Sequence, residues 1–160
     1  MKVITNTSPL LLLAKIGRLD LLGQLFKEVL VARAVYEEIK AKPGRETQEI
    51  KTLIQTKVLH LQEARIDIVR NLPVDLGKGE RETIALAIGT NADLVVMDDQ
   101  EGRRLARARG LPVTGTIGVL IEARERKLIA SIRQEMDHLI EAGMWLDEVF
   151  YHRILQEFDE

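Results

Sequence analysis

The chain has 160 residues, no cysteine, 4% aromatic residues and a formal net charge of −2. Its length suits a single domain, which we predict to span residues 1–160. The composition excludes disulfides, thiolate metal sites and a cysteine nucleophile, and it argues against both a base-stacking platform and a strongly basic surface for nucleic acid.

Short apolar segments predict five β-strands, and the segments between them have helical periodicity. The strands are predicted at residues 3–5, 29–31, 58–61, 94–97 and 112–114. The helices are predicted at 9–14, 18–26, 34–41, 47–55, 64–71, 77–89 and 100–109, with three more from residue 116 onward. Apolar strands that alternate with helices favour an α/β fold with a parallel sheet covered on both faces.

The C-terminal segment, about residues 131–160, is predicted to add helices to a core formed by about residues 1–130. It is rich in large apolar side chains, and these are expected to pack on the sheet or on a partner subunit. They are Met144, Trp145, Phe150, Tyr151 and Phe158.

Polar side chains follow two of the predicted strands. The first strand ends at Asn6, Thr7 and Ser8, and the fourth ends at Asp98 and Asp99. Because ligands of parallel α/β sheets bind beyond the carboxyl ends of the strands, these residues are expected at a site. The alternative is that Asn6 and the two aspartates cap the helices that follow.

Two predicted helices carry glutamates near their apolar faces. Glu38 lies one turn from Ala34 and Val35 and is expected to share their inward face, where a charge is costly unless it is paired or bound to metal. Glu80 heads an apolar stripe, and Glu82 lies close by. In the structural alternative, Glu38 pairs with an arginine, and the other two glutamates interact with a helix dipole.

Oxygen ligands at several separate positions are the kind that Mg²⁺ or Mn²⁺ takes. The three histidines lack ligand spacing, and the chain has no serine-hydrolase elbow, no Walker loop and no glycine-rich dinucleotide turn after a strand. A hard divalent cation is therefore the expected cofactor.

Four separated segments resemble the PIN-like domain family, in its DUF3368 branch. They are TNTSPLLLLAKIGRLDLL, VARAVYEEI, LGKGERETIALA and LVVMDDQEGRRLARARGLPVTGTIGVL, and the resemblance covers about residues 1–130. It implies a three-layer α/β/α sandwich around a parallel sheet of four or five strands, with additional C-terminal helices. It also implies a ribonuclease dependent on Mg²⁺ or Mn²⁺, such as the VapC-like toxins of toxin–antitoxin pairs.

The resemblance also assigns roles to individual residues. Asn6 stands at the position of the family's first acidic residue, and Glu38 stands at the second. Glu80 and Glu82 both stay open for the third, and Asp99 matches the aspartate that closes the fourth strand. The resemblance thus implies catalysis by Glu38, Glu80 and Asp99, and metal ligation by these three together with Asn6, Glu82 and Asp98.

Asn6 is the departure from the acidic pattern. Its amide oxygen can coordinate Mg²⁺ but brings no charge and cannot take a proton from water, so metal affinity is expected to fall. Two functions follow. The first is a metal-dependent ribonuclease, and the alternative is a catalytically weakened or inactive PIN-like domain that acts as a binding or regulatory module.

The run GRRLARARG is predicted on a helix that begins at the candidate site. Arg103 and Arg104, with Ser8, are candidate contacts to phosphates of single-stranded RNA, and a solvated face balanced by Glu101 is the alternative. The resemblance further implies a small antitoxin protein and a second copy of the chain as partners. No apolar run reaches the roughly 20 residues of a membrane span, and the N-terminus lacks a cleavage site, so a cytoplasmic protein without a membrane partner is expected.

Overall fold

The structure, a computed structural model, describes residues 1–160 and contains one sheet of five parallel strands. The strand order is β3-β2-β1-β4-β5, and every strand begins and ends within one residue of its predicted bounds. The bounds are Lys2–Thr5 for β1, Glu28–Ala32 for β2, Leu59–Gln62 for β3, Leu94–Val96 for β4 and Val113–Thr114 for β5. The predicted parallel α/β sheet is confirmed.

Ten helices surround the sheet. They are α1 (Thr7–Lys15), α2 (Leu21–Leu25), α3 (Arg33–Lys40), α4 (Arg45–Gln55), α5 (Ile66–Arg70), α6 (Lys78–Thr90), α7 (Gln100–Ala108), α8 (Thr116–Glu125), α9 (Ile132–Glu141) and α10 (Glu148–Glu157). Helix α1 begins earlier than predicted because Pro9 takes its third position, where the missing N–H has no partner within the helix. Helix α2 is shorter than predicted because residues 18–20 form a turn that brings Arg18 to Glu135.

Helices cover both faces of the sheet. Val3 and Ile4 in β1 are fully buried, and the successive residues Val29 and Leu30 in β2 are 0% and 2% exposed. Successive side chains of a strand point to opposite faces, so both faces must be covered to bury such neighbours. The expected α/β/α sandwich is confirmed, and none of its helices is both long enough and apolar enough to cross a membrane.

The C-terminal helices extend the sandwich by packing on one another. Helix α9 packs on α8, and α10 packs on α9. Helix α10 and its C-cap residue turn inward side chains at the spacing i, i+3, i+4 and i+7, which are Tyr151, Ile154, Leu155 and Phe158. Trp145 and Phe150 fall outside this stripe and are 82% and 40% exposed, so these two do not pack on the sheet, and their packing on a partner subunit stays a prediction.

Candidate active site

The carboxyl ends of β1 and β4 lie side by side at the point where the strand order reverses. Thr5 pairs with Val96, and the Asn6 N–H donates to the Val96 carbonyl at 2.9 Å, which extends the ladder past β1. Such a switch point is where open α/β sheets place their ligand sites. The polar residues after β1 and the two aspartates after β4 therefore meet at one edge of the sheet.

Three consecutive residues after β1 each donate a side-chain hydrogen bond to a different carboxylate. The pairs are Asn6 Nδ2 to Glu80 Oε1 at 3.4 Å, Thr7 Oγ1 to Glu38 Oε2 at 2.6 Å and Ser8 Oγ to Asp98 Oδ2 at 3.2 Å. Thr7 was expected at this edge of the sheet but was given no role in catalysis or binding. The only local sign of its role is its place among three hydrogen-bonding side chains directly after a buried strand.

Glu38 is exposed, so the expectation of an inward-facing charge is wrong. Helix α3 buries Ala34 and Val35, and Glu38 lies at the margin of that face. Its Oε1 accepts from the Gly79 N–H at 3.1 Å, at the partly positive N-terminus of α6. A Cβ at Gly79 would lie 2.5 Å from Glu38 Oε1, so the absence of a side chain at Gly79 permits this contact.

Glu80 and Glu82 have different surroundings. Glu80 is half-buried and contacts Asn6 at the edge of the sheet. Glu82 Oε1 instead accepts from the Ala34 N–H at 2.9 Å, which satisfies a backbone donor in the first turn of α3. Of the two residues that the sequence left open, Glu80 lies at the candidate site and Glu82 fastens α6 to α3. A metal-binding role for either stays a prediction.

Asn6 occupies the N-cap position of α1, but its side chain makes no capping hydrogen bond, so the capping alternative is wrong for Asn6. The side chain is buried, with the residue only 2% exposed. Its Oδ1 accepts from Thr83 Oγ1 at 3.4 Å, while its Nδ2 donates to Glu80. The amide thus ties the end of β1 to α6 and holds Glu80 toward the switch point.

The two aspartates after β4 divide the expected roles. Asp99 caps α7 by accepting from the Gly102 N–H at 2.7 Å through Oδ2, and its Oδ1 has no protein donor. Asp98 caps nothing in α7. It accepts from the Thr116 N–H at 2.8 Å and the Thr116 hydroxyl at 2.7 Å, in addition to Ser8, and thereby joins β4 to α8 and α1.

Asp99 and Glu80 approach each other across Gly102. Asp99 Oδ2 lies 3.3 Å, and Glu80 Cγ 3.5 Å, from the position that a Cβ of Gly102 would take. Together with the contacts from residues 6 and 7, this arrangement gathers three acidic side chains around the ends of β1 and β4. They are Glu38, Glu80 and Asp99.

The carboxylates at this edge form no ion pair, although Arg103 attracts Asp98 from beyond 4.0 Å. No lysine or arginine nitrogen lies within 4.0 Å of the carboxylates of Glu38, Glu80, Glu82, Asp98 or Asp99. Their donors are neutral hydroxyl, amide and backbone groups. Uncompensated carboxylate oxygens suit Mg²⁺ or Mn²⁺ in charge and donor type. No three aspartate, glutamate or histidine side chains already surround one ion position, so the fit is one of donor chemistry.

The two predicted RNA-contacting arginines also differ. Arg103 Nη1 donates to the Met97 carbonyl at 2.8 Å, at the end of β4. Burial lowers the pKa of the Arg103 guanidinium, repulsion from Arg107 lowers it further, and attraction to Asp98 opposes both. Arg104 is exposed and lies 3.8 Å from Glu101, which matches the solvated alternative.

Comparison with known families agrees with this architecture. The model of the DUF3368 family, described as a PIN domain, matches residues 2–160, so the match includes the C-terminal helices. The chain belongs to the PIN domain family. PIN domains are generally nucleases and typically use divalent metal ions. No curated protein matches the chain.

Proposed function

We propose that the chain hydrolyses phosphodiester bonds of single-stranded RNA with the help of Mg²⁺ or Mn²⁺. One observation carries the proposal: Glu38, Glu80 and Asp99 lie at the carboxyl edge of the sheet with no arginine or lysine nitrogen within 4.0 Å of their carboxylates. Glu38, Glu80 and Asp99 would hold the ion, with the Asn6 amide oxygen as a neutral ligand. This is the site at which a PIN domain is expected to act.

The chain's own residues position these carboxylates. Thr7 and the Gly79 N–H fix the two oxygens of Glu38. Capping of α7 fixes Asp99 and leaves one of its oxygens free. A divalent ion held there would lower the pKa of a water molecule and stabilise negative charge on the phosphate.

A second candidate function is supported by Asn6 itself. Its Nδ2 group donates to Glu80 where an acidic residue would add a ligand charge. The hydrogen bond occupies one acceptor site on Glu80 Oε1, and the missing charge weakens cation binding. A PIN domain that binds RNA or a protein partner without cleaving RNA is therefore the alternative.

The two functions are separated by comparing Glu38→Gln with Glu37→Gln as a matched control. Glu37 is the adjacent glutamate of α3, and it faces solvent beside Arg33 and Lys40. We expect the purified protein to cleave single-stranded RNA with Mn²⁺ and to stop when EDTA is added. Glu38→Gln should lower the rate at least about 100-fold, because one charged ligand is lost, while Glu37→Gln should leave it unchanged.

The outcomes distinguish the candidates when folding is verified by circular dichroism. Equal cleavage by both variants would place the activity elsewhere or in a contaminant. A wild-type protein that binds RNA but cleaves none with either metal would favour the binding module.

The proposal includes a cellular setting, drawn from the resemblance to VapC-like toxins. In it, the chain is the toxin of a type II toxin–antitoxin pair, works in the cytoplasm as a homodimer, and is held inactive by a small antitoxin. Co-expression with the product of a small adjacent gene tests this setting, since the two proteins should co-purify and RNA cleavage should cease.

A further inference from the structure

A polar stripe runs along α7 from the candidate site. Gln100, Arg103, Arg104 and Arg107 follow the spacing i, i+3, i+4, i+7, which places them on one face of the helix. They line an open depression of about 270 Å³ that contains no hydrophobic side chain. The stripe begins one residue after Asp99, so it starts at the acidic edge of the sheet.

The stripe carries more positive charge than its neighbours balance. Its single ion-pair partner is Glu101, which lies 3.8 Å from Arg104 with both side chains well exposed. No carboxylate oxygen lies within 4.0 Å of the guanidinium of Arg103 or Arg107. Two like charges four residues apart on a helix destabilise it, and Arg107 is an exposed residue that buries nothing in the core. Within the fold, Arg107 gains only from its place in the last turn of α7, near the negative end of the helix dipole, so its charge stays available to an anionic ligand.

Arg103 is held in one position between the end of β4 and the start of α8. Its Nη1 donates to the Met97 carbonyl at 2.8 Å. A Cβ at Gly115 would lie 2.8 Å from that nitrogen and 2.7 Å from Asp98 Oδ1, so any larger residue at this position would displace both groups. The guanidinium is consequently held in place before any ligand arrives, and its remaining N–H groups are available to an anion.

We propose that Arg103 and Arg107 form a phosphate subsite for a nucleic-acid strand that lies along α7. With a rise of about 1.5 Å per residue, Arg103 lies about 6 Å and Arg107 about 12 Å along the helix from Asp99. A nucleic-acid strand whose reacting phosphate lies at the carboxylates would therefore pass Arg103 after about one helical turn and Arg107 after about two. Arg104 contributes less because Glu101 partly neutralises it. This inference rests on the proposed RNA hydrolysis, because the subsite would bind the same RNA strand that the carboxylate site cleaves.

The test measures RNA binding without cleavage. A short, fluorescently labelled single-stranded RNA is titrated in EDTA at several salt concentrations against the wild type, Arg107→Gln and Arg109→Gln. Arg109 is the matched control because it is exposed at the end of α7 and lies outside the depression. Arg107→Gln should weaken binding roughly 3- to 10-fold and reduce the slope of log K against log salt by about 0.7, the value for one phosphate contact on a single strand.

Two further arms sharpen the test. Glu101→Gln should tighten binding, because it removes the carboxylate that competes with phosphate for Arg104. DNA of the same base sequence should lose affinity to the same extent as RNA on Arg107→Gln, because the phosphate is common to both. A loss confined to RNA would overturn the assignment to phosphate.

The subsite and the nuclease proposal fail in different ways. Equal binding by Arg107→Gln and Arg109→Gln overturns the subsite even if the wild type cleaves RNA with Mn²⁺. Absence of RNA binding in EDTA also overturns it and leaves the cleavage assay to decide the nuclease. A selective effect of Arg107→Gln supports the subsite even if no cleavage is ever seen.

Discussion

Carboxylates in two regions of this molecule differ in the charge of their partners. Around α9 and α10, Glu135 pairs with Arg18 at 2.6 Å, and Glu160 pairs with Arg124 at 3.2 Å. At the carboxyl edge of the sheet, the acidic side chains receive hydrogen bonds only from neutral groups. The carboxylates of Glu135 and Glu160, which hold α9 and α10 in place, are thus paired with arginines within the fold. Those at the sheet edge keep their charge and so remain able to attract a cation.

The C-terminal pairs join segments that are far apart in the sequence. Glu135 is only 2% exposed and receives two hydrogen bonds from Arg18, both on Oε1, while its Oε2 has no hydrogen-bond partner. Glu160 accepts from the Ser131 hydroxyl and from the backbone N–H groups of Ile132 and Arg133, at the start of α9. These charges belong to the packing of the helices.

The strongest test of the comparison removes a cation from the neutralised region. Arg18→Met leaves buried Glu135 with only His138 nearby, 3.9 Å from its Oε2 and charged only when protonated, and we expect the free energy of unfolding to fall by about 3 kcal/mol. Arg33→Met is the control, since Arg33 makes only exposed pairs with Glu37 and Glu63 and should cost less than about 1 kcal/mol. Urea unfolding at neutral pH measures both. Equal small losses would show that Glu135 does not depend on Arg18.

A second test uses the ionisation of Glu160. Burial raises the pKa of Glu160, but hydrogen bonds from the Ser131 hydroxyl, the two backbone N–H groups at the start of α9 and Arg124 outweigh it. Together they lower the pKa from 4.5 to about 2. A lowered pKa gives stability that is present above pH 4.5 and is lost as the pH falls toward 2.

Glu160→Gln should therefore cost about 1–2 kcal/mol of unfolding free energy at pH 7 and progressively less between pH 5 and about 2. Glu157→Gln, an exposed neighbour on α10, should show no such pH dependence. The measurement is urea unfolding of the wild type and both variants across this range. A constant difference between the wild type and Glu160→Gln would contradict a role for the ionised carboxylate.

The sequence predicts where the strands and the acidic residues lie better than it predicts which residues they contact. The strands follow from local apolar runs such as Val29–Val31, and the acidic positions follow from strand ends and the family resemblance. The hydrogen-bond partners do not follow from local sequence. Glu135 and Arg18 are 117 residues apart, and Glu82 reaches the N-terminus of α3 only because α6 packs beside it.

Glu38 shows the limit of periodicity. Helical spacing places Glu38 near the apolar face of α3. How much of the helix surface is buried, however, depends on the helix packed against it. Here the N-terminus of α6 offers the Gly79 N–H at the margin, so Glu38 lies exposed and hydrogen-bonded. The role of Thr7 is hidden for the same reason, since its partner lies 31 residues away on another helix.

The last test adds charge to the uncompensated region by Asn6→Asp. Without metal, the change replaces the donor to Glu80 with a second carboxylate, and we expect a loss of about 1 kcal/mol in unfolding free energy. With Mn²⁺ the sign reverses, because the added charge strengthens cation binding, and calorimetry should show roughly tenfold tighter binding than the wild type. Asn91→Asp, exposed at the C-cap of α6, should leave Mn²⁺ affinity unchanged and cost less than about 1 kcal/mol equally with and without Mn²⁺, because its added charge opposes only the helix dipole. If Asn6→Asp destabilises the protein equally with and without Mn²⁺, Asn6 is a structural bridge and the sheet edge is not a cation site at that position.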